Sequence, residues 1–561
     1  MNVTVVSDFN SEPFANLLTN YLEEAEVVNL PYGQVYQNLI NIVNAANKSE
    51  QPDIDFLVIW TKAENLFPEY HKSVKFLDFN FNSLNEELND FISILQKCSK
   101  VVKNILMFSW TKPPQNYLHG MLDYKNYGPQ YLINHLNNKF IETTQDDGNI
   151  HVLNFNDLMI GHKGSVFDNQ MKHLIKMPYD LDFLKKVSEV LLSCIEGVLG
   201  KSRRVLVLDL DNTLWGGILG DDGIEGIKIG GHDVAGEAFL DFQKAIKTLK
   251  NKGVALAIAS KNYEENAIHA LENNQEMHLK KDDFSAWRIN WKDKAANIVE
   301  IAEELNLGLS SLVFIDDNPV ERGRVSETLP DVYVPDWPES PADYAEALLS
   351  LTCFNVSSIS DEDKKRVEMF AAEKDRKQLK ESLSHDDWLK SIKINVELED
   401  INKNNKKRII QLLNKSNQFN AISRRFSEVE IDNWLEKQSR YCWAYRVSDK
   451  YGESGLTAVV TFEIYDSYIQ IYDFVMSCRV MGRNIENLIL KSIIDFAIKH
   501  DKSEVRVNYE KTDRNKPMKD FLEDRSGFDQ VEGFFVWDNK KEYGKYSYIQ
   551  LDDIRLGTHD D

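Results

Sequence analysis

Between residues 1 and about 200, short apolar runs at Val3–Val6, Glu26–Asn29, Phe56–Trp60, Val101–Phe108 and His151–Phe155 alternate with helical patterns. One of those patterns sets Phe14, Leu17, Leu18 and Leu22 on a single face. Such alternation predicts a parallel sheet with covering helices. Further on, Val205–Leu208 is an uninterrupted apolar run that reads as a buried parallel strand and stops at Asp209 and Asp211. ALAIASKN predicts a second strand ending in Ser260 and Lys261, and LVFIDDNPVER a third ending in Asp316 and Asp317. Between them, Phe239, Phe242, Ile246 and Leu249 form a helical stripe that Gly253 closes. From Ile392 the pattern changes to alternation (Ile392, Ile394, Val396, Leu398), which predicts a half-buried strand. Strands follow at Tyr441–Val447, Leu456–Ile464 and Tyr468–Met476, and the last runs straight into SCRVMGRNIEN and a helix carrying Ile485, Leu488, Ile489 and Ile493.

The predicted architecture is therefore α/β, in three domains: a parallel sheet over 1–200, a second parallel sheet over 201–352, and a mixed sheet over 391–561. Residues 353–390 are strongly charged and read as a solvated connector helix, with Ser360 and Asp363 spaced as a capping box.

Composition changes this picture little. A chain of 561 residues is too long for one core, and 42% hydrophobic with 28% charged residues is a soluble globular balance. The net charge of −23 argues against a nucleic-acid or anionic-membrane partner, and any acidic carrier protein would need a local basic patch. No apolar run approaches a membrane span, and the N-terminus lacks a basic-then-apolar signal pattern. Five scattered cysteines fit reduced thiols, so a cytoplasmic location is expected.

The chemistry concentrates at strand ends, where the loops of an α/β sheet face the ligand crevice. Asp209 and Asp211 after the strand make either a hard-oxygen metal site or a nucleophile with an acid/base partner. D-x-D alone is a weak signal, whereas DLDNTLW after a buried strand is a strong one. Asp209, Ser260 and Lys294 are separated by about fifty and about thirty-four residues. Those intervals hold only a Gly-rich flap (Trp215–Ile229) and leave no room for a cap domain. The site is expected to be open, for a macromolecular substrate or a lid borrowed from a neighbouring domain. In the third domain, strand, then R-x-x-G-x, then helix is an anion cradle, with Arg479 or Arg483 facing the anion and Gly482 allowing close approach. Cys478 stands just before that helix, where its thiol is either activated as a nucleophile or a small packing residue at a tight turn. Cys98, Cys194, Cys353 and Cys442 read as packing residues. Ser7-Asp8-Phe9-Asn10 loosely matches the nucleophile block of SGNH-type hydrolases. No D-x-x-H follows, and His162 and His173 show no triad spacing, so the N-terminal domain reads as a non-catalytic binding or docking domain.

DLDNT resembles the first motif of the haloacid dehalogenase (HAD) phosphatase superfamily, and ASKN, NWKDKAANI and FIDDNPVER stand where its other motifs follow. That resemblance implies Asp209 as nucleophile, Asp211 as acid/base, and Ser260, Lys261 and Lys294 as phosphate contacts, with Lys294 preferred to Lys292. It also implies Mg²⁺ at Asp209, Asp316 and Asp317, with Asp211 contributing through its backbone. SCRVMGRNIEN resembles the coenzyme A loop of GNAT acyltransferases, departing from it at Asn484 where Gly or Ala is usual. The three-part order, with SDFNSEPF, PYGQV, NKSNQFNAISRRF and SCRVMGR, resembles the FkbH-like proteins of HAD subfamily IIIC. Such proteins dephosphorylate 1,3-bisphosphoglycerate and pass its glyceryl group through a protein thioester to an acyl carrier protein in polyketide biosynthesis. The resemblance thus implies a phosphorylated small-molecule substrate, Mg²⁺, a carrier's phosphopantetheine arm at Arg479, Gly482 and Arg483, and an acyl group on Cys478. The alternatives are a phosphatase or GNAT-type acyltransferase acting on a sugar or other small molecule, and a scaffold whose domains only bind partners.

Overall fold

The apolar runs become three sheets in the computed structural model, which describes residues 1–22, 25–47, 53–113, 121–125, 127–231, 233–357, 384–415, 418–422, 424–512, 515–531, 534–544, 546 and 548–554. The expected connector helix, including Ser360 and Asp363, and Asn417 of the NQFN run lie outside the described residues.

Strands β1 (Asn2–Ser7), β2 (Glu26–Asn29), β3 (Phe56–Trp60), β4 (Asn104–Phe108) and β5 (Ile150–Leu153) form a five-stranded sheet in the order β2-β1-β3-β4-β5. Every pairing is parallel. Trp60, fully buried at the end of β3, stacks on Tyr179 with ring centroids 4.7 Å apart. The fifth strand ends sooner than the sequence pattern predicts because the Asn154 side chain accepts from the backbone N–H groups of Asn156 and Asp157, capping the helix Phe155–Ile160. By compactness, one unit spans Met1–Ile195 and also takes in Phe426–Glu436, a segment the sequence pattern assigns to the third domain. The second unit comprises Glu196–Arg425 and Lys437–Asp561.

In that second unit, β6 (Val205–Leu208), β7 (Ala255–Ser260), β8 (Phe284–Ile289) and β9 (Leu312–Ile315) form a parallel four-stranded sheet in the order β8-β7-β6-β9. Strands β6, β7 and β9 are buried throughout, as continuous apolar runs require when helices cover both faces. Strand β8 has no counterpart in the sequence reading. It is an edge strand whose Ser285, Trp287 and Arg288 are only partly covered, so its hydrophobic signal is broken. Phe239, Phe242, Ile246 and Leu249 are the buried stripe of the helix Val234–Asn251.

Asp283 joins this helix to the start of β8. It is ion-paired with Lys247 and Lys250 and accepts from the Lys280 backbone N–H at 3.0 Å. Burial works against the charge, yet the two lysines hold its carboxyl below the usual carboxylate value. A depressed folded value means the stabilisation is present above the unfolded pKa and lost as pH falls through the folded one. Asp283→Asn is therefore expected to cost about 2 kcal/mol near neutral pH. In denaturant titrations across pH, that difference should shrink below about pH 4; a difference that does not change with pH would refute the assignment.

The third sheet has nine strands in the order β16-β17-β15-β14-β13-β12-β10-β18, with β11 also on β14. Its members are β10 (Asn395–Asp400), β11 (Phe419–Asn420), β12 (Arg440–Asp449), β13 (Gly452–Ile464), β14 (Tyr468–Met476), β15 (Glu504–Asn508), β16 (Asp529–Val531), β17 (Phe534–Asp538) and β18 (Gln550–Asp553). Pairing is antiparallel except at β14–β15 and β10–β18, so the sheet is mixed. The helix Ile485–Lys499 makes the crossover from β14 to its parallel partner β15. Among the described residues, no helix is long and apolar enough to cross a membrane.

Candidate active site

The C-terminal ends of β6 and β9 place Asp209, Asp316 and Asp317 together. Their carboxylates offer oxygens within 4.8 Å of one another. The loop after β9 is held by Arg322, which donates to the Asp316 carbonyl (2.8 Å) and the Asp317 carbonyl (2.7 Å). Asn318 caps the helix Pro319–Thr328 that follows. Thr213, buried in the loop after β6, accepts from the Asp317 N–H at 3.1 Å and donates to Asp317 Oδ1 at 3.3 Å, tying the two loops to each other.

Lys294, the first residue of the helix Lys294–Glu304, enters this cluster. Its Nζ lies 2.6 Å from Asp316 Oδ2 and 3.1 Å from Asp209 Oδ1. Burial opposes its charge, but Asp209 and Asp316 hold the ammonium above its usual value. Lys292 instead stands on the surface facing Glu300. Burial, and then the Asp209 charge, push the Asp316 carboxyl up to about 6 and raise Asp317 as well. Like charges packed this closely are costly in a buried setting, the usual signature of a functional site. Asp209 Oδ1 is buried without a hydrogen-bond donor, its contact with Lys294 being an ion pair without hydrogen-bond alignment. Three carboxylates that offer oxygens within 4.8 Å of one another fit a hard cation such as Mg²⁺.

Asp211 does not join that cluster through its carboxylate, so any contribution to a metal is left to its backbone, as the resemblance implies. The side chain is turned aside: Oδ1 accepts from Trp215 Nε1 (2.9 Å) and the Leu219 N–H (3.1 Å), and Oδ2 from Asn262 Nδ2 (3.1 Å). Burial raises its pKa, as an acid/base group requires. The turn that follows the two aspartates depends on Asn212, whose backbone is left-handed (φ 54°) and whose Oδ1 accepts from the Gly217 N–H. The expected flap is thereby pinned down: Trp215 is fully buried, and helical turns over Leu219–Gly226, kinked at Gly223, fill much of the rest. Ser260 is buried at the end of β7. Lys261, the next residue, reaches Glu321 at 2.6 Å instead of the carboxylate cluster.

In the third domain, Gly482 has φ +73°, and its N–H donates to Glu486 Oε1 at 3.3 Å. Asn484, φ 60°, occupies the left-handed conformation that explains an asparagine at this position. Arg483 is directed inward, so it does not face an anion as expected. Its guanidinium is buried 3.3 Å from Asp449 and donates to the Arg479 carbonyl at 2.6 Å. Arg479 follows Cys478 in the short turn Cys478–Val480; the Cys478 side chain lies outside the described residues. Glu486 went unnoticed in the sequence, where it is one charge among many. It is buried, and burial raises its carboxyl. Burial likewise pushes up the free thiols of Cys98, Cys353, Cys442 and Cys194, the last to about 11, so all four are packing residues. In the N-terminal domain the buried Ser7 hydroxyl sits between the Phe9 carbonyl and Ser11 Oγ, and no histidine is among these partners.

The two parallel sheets and the mixed sheet define an α/β protein with a carboxylate-lysine cluster at the strand ends of its four-stranded sheet. Among solved structures, the chain is similar to the N-terminal part of protein BF1531 from Bacteroides fragilis, which contains a phosphatase domain and is complexed with Mg. Identity is 29% and the TM-score 0.58, over 64% of this chain and 94% of that one. An acetyltransferase of the GNAT family from Staphylococcus aureus aligns with 26% of this chain and 98% of its own, at 10% identity and a TM-score of 0.20. A Thermoplasma acidophilum PaiA N-acetyltransferase in complex with coenzyme A aligns with 25% of this chain and 96% of its own, at 12% identity and a TM-score of 0.19. No protein-family model matches the sequence, and no curated protein matches it significantly.

Proposed function

We propose that this chain is a Mg²⁺-dependent phosphohydrolase of the aspartyl-phosphate type, coupled to acyl transfer. The observation that carries the reading is the buried set of Asp209, Asp316 and Asp317 with Lys294 between them. Asp209, Asp316 and Asp317 would hold Mg²⁺, which supplies positive charge against the transferring phosphoryl group. An Asp209 oxygen attacks phosphorus while the bond to the leaving oxygen breaks and Asp211 gives that oxygen its proton. Water then attacks the aspartyl phosphate, Asp211 takes the water's proton, and the Asp209 carboxylate is restored. Lys294 balances charge on the phosphoryl oxygens, with Ser260 as a further contact.

For the acyl half, the substrate is an acyl phosphate of the 1,3-bisphosphoglycerate kind and the acceptor an acyl carrier protein. Cys478 thiolate attacks the acyl carbonyl, phosphate leaves, and the carrier's thiol then displaces Cys478 from the thioester. The resemblance of the chain to FkbH-like proteins supports this. So does Glu486, whose carboxylate already accepts from the Gly482 N–H. That hydrogen bond occupies a loop amide that the pyrophosphate of free coenzyme A would use, and the phosphopantetheine arm of a carrier has no pyrophosphate.

The test is intact-protein mass after incubation with Mg²⁺ and 1,3-bisphosphoglycerate, comparing wild type with Cys478→Ala. A hydroxylamine-sensitive glyceryl adduct, absent from the variant, is expected. Phosphate release with no adduct and no loading of a supplied carrier would reduce the function to a phosphatase.

A further inference from the structure

The loop after β7 contributes a residue that neither the strand pattern nor the metal cluster singles out. Asn262 is 4% exposed and donates from Nδ2 to Asp211 Oδ2 at 3.1 Å. Its orientation is not free, because its own Oδ1 accepts from the Tyr263 backbone N–H at 2.9 Å. A backbone N–H only donates, so the amide oxygen must face it and the NH₂ must face Asp211. On the other side, Trp215 Nε1 and the Leu219 N–H both serve Asp211 Oδ1. Trp215 is fully buried, so its indole is held by packing. A carboxylate has about four acceptor positions. Among the described residues, donors therefore fill those of Oδ1 and one on Oδ2, leaving a single position on Oδ2 for a transferable proton.

We infer that Asn262 is a positioning residue for proton transfer: it fixes the Asp211 carboxyl so that the one open position on Oδ2 faces the leaving-group oxygen. The inference rests on the reading of Asp211 as acid/base. In the step concerned, the bond between phosphorus and the leaving oxygen breaks, a bond from phosphorus to Asp209 forms, and the Asp211 proton passes to the leaving oxygen. Removing Asn262 leaves the nucleophile, Lys294 and the two donors to Oδ1 in place but takes away the one donor that holds Oδ2.

Leaving-group dependence tests this, because p-nitrophenolate departs with little need of a proton and phenolate does not. With Mg²⁺ and the full-length protein, kcat/KM is measured for p-nitrophenyl phosphate and phenyl phosphate. Asp211→Asn should lose about 10-fold or more extra activity on phenyl phosphate relative to p-nitrophenyl phosphate, and Asn262→Ala about 3-fold or more extra. Asn262→Leu keeps about the side chain's size while removing the donor without adding charge, and should show the same bias if the alanine variant folds poorly. A merely structural defect lowers both substrates alike. Equal losses in the Asn262 variants, with a biased loss in Asp211→Asn, overturn the inference alone. Equal losses in Asp211→Asn as well overturn the acid/base reading and the inference with it.

Discussion

Asp209→Asn is expected to lower turnover of an aryl phosphate by about 10⁴-fold or more, the scale on which loss of a nucleophile acts. The amide keeps the shape of the side chain but carries neither the charge nor the nucleophilic oxygen of a carboxylate. In the metal-free protein the same substitution removes repulsion on Asp316 and Asp317 and also one of the two carboxylates paired with Lys294, so its effects on stability offset. Burial is the first cause of the raised Asp316 and Asp317 values and the Asp209 charge the second. A carboxyl whose folded pKa is raised costs stability at neutral pH, so removing Asp209 relieves part of that cost. Activity should thus fall steeply while stability changes little. Urea titration in a chelating buffer, beside a phosphate-release assay, reads both. Retained turnover would refute Asp209 as nucleophile, and a large loss of stability would refute the account of repulsion in the cluster.

The second large effect belongs to Lys294. Lys294→Ala should cut turnover by about 10³-fold and also change how the protein depends on metal. The ammonium stands 2.6 Å from Asp316 and 3.1 Å from Asp209, so its loss leaves buried carboxylates uncompensated. Removing one partner of a buried pair costs about 3–5 kcal/mol. Mg²⁺ can restore much of that charge balance, because the site without lysine is more negative. The variant should therefore melt well below wild type in chelator and approach it as Mg²⁺ is added, with half-saturation at lower Mg²⁺ than in wild type. Turnover stays low throughout, since a cation held by the carboxylates does not replace the ammonium at the phosphoryl oxygens. A melting difference that ignores Mg²⁺, or turnover near wild type, would refute this role.

Much of the four-stranded sheet can be read along the chain because its determinants are local. The runs Val205–Leu208, Ala255–Ser260 and Leu312–Ile315 are apolar without interruption, as strands buried on both faces must be, and each ends in polar residues. Strand β8 escapes the same reading because an edge strand buries less of its surface and tolerates Ser285 and Arg288. The segment Phe426–Glu436 escapes it for another reason. Its capping box at Ser427 and Glu430 marks a helix but says nothing about which unit that helix joins.

The division is sharpest at individual side chains. The sequence alone determines that Asp209, Asp211, Lys294, Asp316 and Asp317 stand at the ends or starts of regular elements. A strand's carboxyl end and a helix's first residue are recognisable from periodicity within a dozen residues. Only the tertiary structure decides what each group touches. Asp211 and Asn262 are 51 positions apart and Lys294 and Asp316 are 22 apart, yet both pairs are in contact. The same holds for the cradle: R-x-x-G-x is legible, but the inward turn of Arg483 depends on Asp449, 34 positions away at the end of β12. Local pattern reports burial and periodicity, whereas hydrogen-bond partners follow from packing between elements distant in sequence, which periodicity does not encode.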